Sequence, residues 1–170
     1  MTSHVALLRA VNVGGRKLLM ADLKRIAADL GLEQPRTFIA SGNLLFASAK
    51  SEAAIKSALE RALTGHMGNG VAVMVRTADE MAAVVAANPF GKEPGNRVVA
   101  IFLDRSPPAD SADQARNRTD ERIALGEREI YVHYPGGMGR STLRIPAAVA
   151  GTARNMNSVA KLARLAKERR

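Results

Sequence analysis

The stretch LLRAVNVGGRKLLM, residues 7–20, places a glycine pair and cations between an apolar run and a helix-like pattern. Gly14 and Gly15 can adopt positive φ and leave their N–H groups unobstructed by side chains. Successive N–H groups ahead of a helix, with Lys17 beside them, suit a phosphate. The alternative is a tight strand-to-helix turn with solvated cations, since glycine pairs are common in turns. On the anion-binding interpretation, the candidate residues are Arg9, Asn12, Gly14, Gly15 and Lys17.

Two further loops have the same polar, glycine-containing character. Ser41, Gly42 and Asn43 separate two β-rich runs and are typical of a hairpin turn, although they also offer ligand-binding groups. The loop YPGGMGRST, residues 134–142, ends in GRST and so resembles the Gly-Lys-Ser/Thr end of a Walker motif. It fails as that motif, because arginine replaces the lysine, a tyrosine stands where the first glycine should be, and no strong helix follows. It remains a glycine loop that presents Arg140 and Ser141.

The C-terminal segment GTARNMNSVAKLARLAKERR predicts a helix with one apolar and one basic face, starting at about Thr152. Its first turn would contain Arg154, Asn155 and Asn157. A cation there opposes the helix dipole by about 0.3–1 kcal/mol, so a nearby anion or carboxylate would explain it. Asparagine has only middling helix propensity, so two in one turn suggest hydrogen-bonding duties. Those duties are either ligand binding or a structural bridge between lobes.

Catalytic and metal-binding patterns are largely absent from the sequence. His4, His66 and His133 do not have metal-ligand spacing, so no metal site is predicted. No serine-centred elbow motif occurs, and nothing in the sequence assigns a base to the hydroxyl of Ser41, Ser141 or Tyr134. No cofactor is evident, and the sequence leaves open whether the protein is an enzyme.

The elements that must position these residues follow from hydrophobic periodicity. The first half reads β-α-β-β-α-β, the split βαβ or ferredoxin-like arrangement, and the second half reads α-β-α-β-β-α. Because several strands are apolar at both alternating sets of positions, we expect both faces of the sheets to be covered. Predicted strands cover 4–9, 36–40, 43–48, 71–76 and 97–103, followed by a hairpin around residue 127; predicted helices cover 20–30, a segment from Ser51 to about Gly65, a segment opened by Thr77 and Glu80 as a capping box, and about 109–121.

The predicted fold class is therefore α+β, with two lobes of ferredoxin-like (split βαβ) type whose helices pack on mixed or antiparallel sheets. The first lobe is residues 1–76. The second lobe is residues 77–170 and ends in the basic helix. We expect the two lobes to pack together as one compact unit.

Five motifs occur in order along the chain: LLRAVNVGGRKLLM, TFIASGNLLF, NPFG, YPGGMGRSTL and GTARNMNSVAKL. In this order and at this spacing they resemble the uncharacterised bacterial family called domain of unknown function 1697. The chain departs from the family's usual residues at Ala10, Met156 and Ser158, where the family has glycine, tryptophan and threonine. The resemblance implies a two-lobed α+β fold and a bacterial source. It implies no function, because the family has no established one.

Composition narrows the class of partner. The 170-residue chain carries a net charge of +9, and residues 140–170 hold eight Lys and Arg against one acidic residue. Such a patch can attract phosphates, nucleic acid or an acidic partner, or it can be a solvated tail. No run approaches the roughly 20 apolar residues of a membrane helix, and no secretory signal is recognisable. The absence of cysteine excludes disulfides and thiolate chemistry. These features favour a cytoplasmic protein without a membrane partner.

Taken together, the polar loops favour a soluble protein that binds a nucleotide or another phosphate-bearing or anionic ligand. We expect the loops to converge, which requires the Asn12–Lys17 loop to lie near Arg154 and Asn157. One alternative is an enzyme on a small anionic substrate in the same pocket, with Tyr134 or His133 as its base. The other is a nucleic-acid-binding module that uses the basic helix. It is less favoured, because six aromatic residues provide no evident stacking platform.

Overall fold

The structure, a computed structural model, describes residues 1–9, 17–38 and 42–169. The described chain forms four α-helices and two four-stranded sheets, which confirms the predicted α+β class. In chain order the elements are β1 Thr2–Leu8, α1 Met20–Asp29, β2 Glu33–Thr37, β3 Asn43–Ser48, α2 Glu52–Met67, β4 Val73–Thr77, α3 Ala78–Ala86, β5 Val98–Phe102, β6 Arg122–Leu125, β7 Glu129–His133, β8 Thr152–Asn155 and α4 Met156–Glu168.

The first sheet has the strand order β2-β3-β1-β4, with every pairing antiparallel. With α1 and α2 in the connections, this is the predicted split βαβ arrangement. The apolar stripes of the two helices, including Leu23, Ile26, Leu59 and Leu63, pack in one buried cluster with one alternating set of strand residues. The other face is buried too, and there the hydroxyl of Ser3 donates a hydrogen bond of 2.7 Å to a carbonyl of α4.

The second sheet has the order β6-β7-β5-β8, also with antiparallel pairings only. This is the strand order of the first sheet. The connections between its strands differ from those of the first sheet. The predicted helix over 109–121 is wrong, because this segment forms turns. The hydroxyl of Ser111 donates to the carbonyl of Pro108 at 2.6 Å, and such local bonds compete with a helix. The connection from residue 134 to 151 contains two short 3-10 turns, Met138–Arg140 and Pro146–Ala148.

The predicted start of the C-terminal helix is also wrong. Residues Thr152–Asn155 form an edge strand, in which Ala153 pairs with Ile101 and Arg154 with Ala100. The helix begins at Met156, and the side-chain oxygen of Asn155 accepts a hydrogen bond of 2.9 Å from the Ser158 N–H. Asparagine is a strong N-cap residue, so the cap lies three residues after the predicted threonine.

The other helix boundaries follow ordinary capping rules. Ser51 caps α2, accepting a hydrogen bond of 3.2 Å from the Ala54 N–H. The helix α2 ends at Met67, two residues after the predicted end near Gly65, and its C-cap Gly68 has φ of 77°. Thr77 and Glu80 form the predicted capping box, with reciprocal hydrogen bonds of 2.8 and 3.1 Å.

Backbone contacts group the chain into two compact units. The first unit is Met1–Met81 with Leu162–Arg170, and the second unit is Ala82–Lys161. The predicted lobes, 1–76 and 77–170, assign the whole C-terminal helix to the second lobe, whereas this grouping divides α4 after Lys161.

Among the described residues, no helix combines the length and apolarity needed to cross a membrane.

Candidate functional site

Four of the predicted site residues, Asn12, Gly14, Gly15 and Ser41, lie outside the described residues. The neighbouring cations Arg9 and Lys17 are described, and both side chains are exposed. The backbone N–H of Arg9 donates to the carbonyl of Ala72 at 2.9 Å. The predicted anion-binding role of this loop therefore stays a prediction.

Gly42 and Asn43 complete the hairpin between β2 and β3. Gly42 has φ of 84°, a conformation that favours glycine, and its carbonyl accepts from the Leu8 N–H at 2.9 Å. The fully buried Asn43 side chain donates to the carbonyl of Phe38 at 3.0 Å. The Phe38 N–H in turn donates to the Asn43 carbonyl at 3.2 Å. These contacts support the turn interpretation for both residues.

The second unit contains a cavity of about 240 Å³ that includes two of the predicted residues, Arg140 and Ser141. We call it the polar cavity. It lies where the β6–β7 hairpin opens, because Glu121 precedes β6 and Tyr134 follows β7, one step beyond the cross-strand pair Arg122–His133. Its lining comprises Thr119, Asp120, Glu121, Tyr134, Gly136, Gly137, Arg140, Ser141 and Thr142.

Glu121 is the buried carboxylate of the polar cavity, with 4% of its surface exposed. The Ser141 hydroxyl donates to one carboxylate oxygen, and the Thr119 N–H donates to the other at 2.7 Å. The Ser141 hydrogen bond, followed by the Thr119 N–H, lowers the pKa of Glu121 from 4.5 to about 2. Glu121 is therefore an anchor for Ser141 and a poor base.

Ser141 is held at both ends, since its oxygen also accepts from the Leu143 N–H at 3.1 Å. Tyr134 is buried, and burial, with a smaller contribution from the Glu121 charge, raises the pKa of its hydroxyl. Both groups therefore remain neutral hydrogen-bonding groups near pH 7.

The glycine loop presents backbone donors beside arginine. Gly137 has φ of 91°, and a Cβ atom there would lie 2.7 Å from Nη1 of Arg97, so the Arg97 guanidinium lies against the loop. Within the described part of the chain, the N–H groups of Gly136, Met138 and Gly139 have no hydrogen-bond acceptor. The loop thus combines unused N–H groups with Arg97 and with Arg140, which is exposed on the Met138–Arg140 turn.

Arg154, Asn155 and Asn157 do not line this cavity. Arg154 lies on β8 and not in a first helical turn, so the helix-dipole argument does not apply to it. Its Nη1 donates to the Ala153 carbonyl at 2.9 Å, and burial lowers the pKa of its guanidinium to about 10. Asn155 is the N-cap of α4, and the Asn157 side chain occupies the space that a Cβ atom of Gly95 would need. Asn155 thus has a structural role as a cap, and Asn157 packs against Gly95 within the second unit.

A separate polar cluster contains His133. Its Nε2 lies 3.1 Å from Glu93, and its Nδ1 lies 3.0 Å from Nη2 of Arg122. The Arg122 guanidinium also stacks over Phe90 of the NPFG motif, 5.0 Å from the ring centroid. Because Nδ1 faces an arginine donor, the ring carries its proton on Nε2 and donates to Glu93. Of the two predicted bases, Tyr134 lines the polar cavity and His133 does not.

Sequence reasoning missed Glu121 as a site residue. It lies in a run of charged residues without periodicity, and its partner Ser141 is 20 positions away. No group of three or more metal-ligating side chains occurs among the residues that the structure describes.

Comparison with known proteins supports the fold and the family. No curated protein matches the sequence. Among solved structures, the conserved bacterial protein SP0830 from Streptococcus pneumoniae superposes with a TM-score of 0.80 over 98% of this chain and 99% of that chain. The two sequences are 23% identical, so the likeness shows a shared fold. The family model described as "Protein of unknown function (DUF1697)" matches residues 1–131. The chain therefore belongs to this family of proteins of unknown function.

Proposed function

We propose that the protein binds a small phosphate-bearing or similar anionic ligand in the polar cavity of its second unit. The observation that carries the proposal is the glycine loop, where Gly136 lines the cavity beside the Arg140 guanidinium and its N–H has no acceptor among the described residues. Backbone N–H groups of this kind suit phosphate oxygens, and arginine adds bidentate, charge-assisted hydrogen bonds.

The local charge balance is compatible with an anion. Arg97 lies against the loop, and Arg118 donates from Nε to the Glu121 carbonyl at 2.8 Å. Arg140 itself lines the cavity together with the carboxylates of Asp120 and Glu121. Both Glu121 oxygens already accept hydrogen bonds from protein groups, so the anionic ligand would meet arginine and N–H donors instead.

Binding is favoured over catalysis by the titration of the lining groups. An efficient general base or acid has a pKa near the working pH. The pKa of Glu121 is lowered to about 2, and the pKa of Tyr134 is raised from 10.0. Neither group is poised to exchange a proton near pH 7, and the proposed ligand site needs no cofactor.

We also propose a cytoplasmic location and a bacterial source. The chain contains no cysteine, whereas disulfide-bonded secreted proteins and thiol enzymes require it. The structurally similar SP0830 is a bacterial protein.

Isothermal titration calorimetry on the full chain tests the proposal. The probes are inorganic phosphate, ribose 5-phosphate, a nucleoside monophosphate and a short oligonucleotide, each at two salt concentrations. We expect saturable binding of at least one small phosphate compound, with loss of one charge-assisted contact in Arg140→Gln weakening it by about tenfold or more.

Arg105→Gln is the matched control, because Arg105 is an exposed arginine of the same unit outside the cavity lining. Equal affinity in Arg140→Gln and wild type would contradict the proposal. Binding of the oligonucleotide alone, with a steep loss of affinity as salt rises, would favour the nucleic-acid-binding alternative.

A further inference from the structure

A second cavity, of about 220 Å³, adjoins the polar cavity. We call it the apolar cavity. The ring of Tyr134 belongs to the lining of both cavities. The same connection, residues 134–151, supplies most of both linings, since Ser141 and Thr142 line the polar cavity while Leu143 and Ile145 line the apolar one.

Two large hydrophobic side chains of the apolar cavity are exposed to solvent. Val149 is 70% exposed and Met138 is 51% exposed. Only five large hydrophobic residues of the described chain are exposed, and these two line one cavity. Grouped apolar exposure of this kind typically marks a binding surface, and an unbranched methionine can adapt to different apolar shapes.

The sizes of the two cavities support a joint role. Small-molecule sites usually occupy about 300–1,000 Å³. Each cavity alone is below that range, at about 240 and 220 Å³, whereas the pair together lies within it. Tyr134 suits the boundary between them, because its ring is apolar and its hydroxyl is polar.

Building on the proposed function, we infer that the ligand is an amphipathic phosphomonoester. Its phosphate would lie in the polar cavity at Arg140 and the glycine loop, and its apolar chain would lie in the apolar cavity against Met138, Val149 and Ile145. The occupant is a small molecule with a single short chain. An apolar volume of about 220 Å³ is large enough for one such chain.

The test measures affinity as a function of chain length. Calorimetry on the full chain uses inorganic phosphate and the butyl, hexyl and octyl monophosphates, all below their micelle-forming concentrations. Each methylene group moved from water into the apolar cavity raises affinity by about fourfold until the cavity is full. We therefore expect the dissociation constant to fall steeply from phosphate to hexyl phosphate and then to level off.

Two variants locate the chain. The variant Val149→Ser should weaken octyl phosphate binding by about fivefold and leave inorganic phosphate within about twofold of wild type. Leu125→Ser is the matched control, because Leu125 is an exposed hydrophobic residue of the same unit outside the apolar cavity. It should change neither affinity.

The outcomes separate this inference from the proposed function. Arg140-dependent phosphate binding without any effect of chain length would overturn the inference and leave the proposed function standing. An equal chain-length effect in Val149→Ser would overturn it as well, since the chain would then lie elsewhere. Binding only to vesicles that contain phosphatidic acid would replace the small molecule with a membrane surface. If no phosphate compound binds at all, the proposed function fails and this inference fails with it.

Discussion

The two sheets have the same strand order but different coverings. In the first unit, the connections after β1 and β3 form α1 and α2, whose apolar stripes fill one core cluster. In the second unit, the corresponding connections after β5 and β7 are turns and 3-10 segments, and Leu143 and Ile145 take the place of a helix stripe. Both cavities lie in this irregular covering. The second unit thus covers this part of its sheet with irregular segments in place of helices, and its cavities lie in those segments. Loops on rigid scaffolds commonly carry binding sites.

The largest expected effect compares the two cores directly. Leu59→Ala removes a fully buried α2 side chain from the helix-covered sheet and should lower the free energy of unfolding by about 2–5 kcal/mol. Leu143→Ala, at the edge of a cavity in the loop-covered sheet, should fall at the lower end of that range, because the surrounding loop can relax. Urea unfolding followed by circular dichroism measures both. Equal losses would show that the two coverings are equally rigid.

A smaller effect tests the glycine loop. Gly137→Ala places a Cβ atom at φ of 91° and 2.7 Å from the Arg97 guanidinium, so we expect a loss of about 1–2 kcal/mol. Gly136→Ala is the matched control, since a methyl group at this position would have nothing within 4 Å and the φ of Gly136 is not positive. Urea midpoints give the stability change, and calorimetry should show weaker phosphate binding in Gly137→Ala alone. Equal behaviour of the two variants would contradict the close approach of Gly137 to the Arg97 guanidinium.

The smallest expected effects are pH-dependent, and they separate the units by pH range. His4 of the first unit is buried against Phe46, with neither ring nitrogen in a geometrically complete hydrogen bond to the described residues. Burial lowers the pKa of His4 below 6.5, against smaller opposing contributions from the Ser48 backbone and from Glu80 and Glu52. As the pH falls below 6.5, the unfolded chain binds the proton first, and stability should decrease.

Glu121 of the second unit responds at lower pH. Its pKa is lowered from 4.5 to about 2, so its contribution is fully present above pH 4.5 and is lost as the pH falls towards 2. As the pH is lowered from 8 to 2, the urea midpoint should decrease in two separate pH ranges. His4→Phe should flatten the upper range only, and Glu121→Gln the lower range only. A variant that changes the other range would show that the assignment to units is wrong.

Local sequence patterns predicted most of the first unit. The apolar stripes of α1 and α2, the Ser51 cap and the Thr77–Glu80 capping box are short-range features, and the structure contains all of them. The second unit was predicted less well, because the segment 109–121 has no periodicity and its local hydrogen bonds favour turns. Thr152 resembles a cap, but pairing with β5 extends the strand until Asn155.

The candidate site was predicted in part. Gly139 followed by Arg140 and Ser141 is a local pattern that can be recognised in the sequence. The contribution of Glu121 depends on hairpin pairing, which brings it opposite Tyr134, and on a hydrogen bond across 20 residues. Single-sequence patterns do not encode such distant contacts. The convergence predicted for loops of both units stays a prediction.

The division of α4 has a consequence for how the protein is made. Ser3 on β1 donates its hydrogen bond to Ala166, 163 residues later in the chain. At a synthesis rate of about 5–20 residues per second, Ser3 is made roughly 8 to 33 seconds before that acceptor exists. Until the C-terminal part of α4 has been made, this face of the nascent first sheet is without its final cover. A ribosome stalled before residue 162 would hold a first sheet with an exposed apolar face. Chaperones and proteases would recognise such a face.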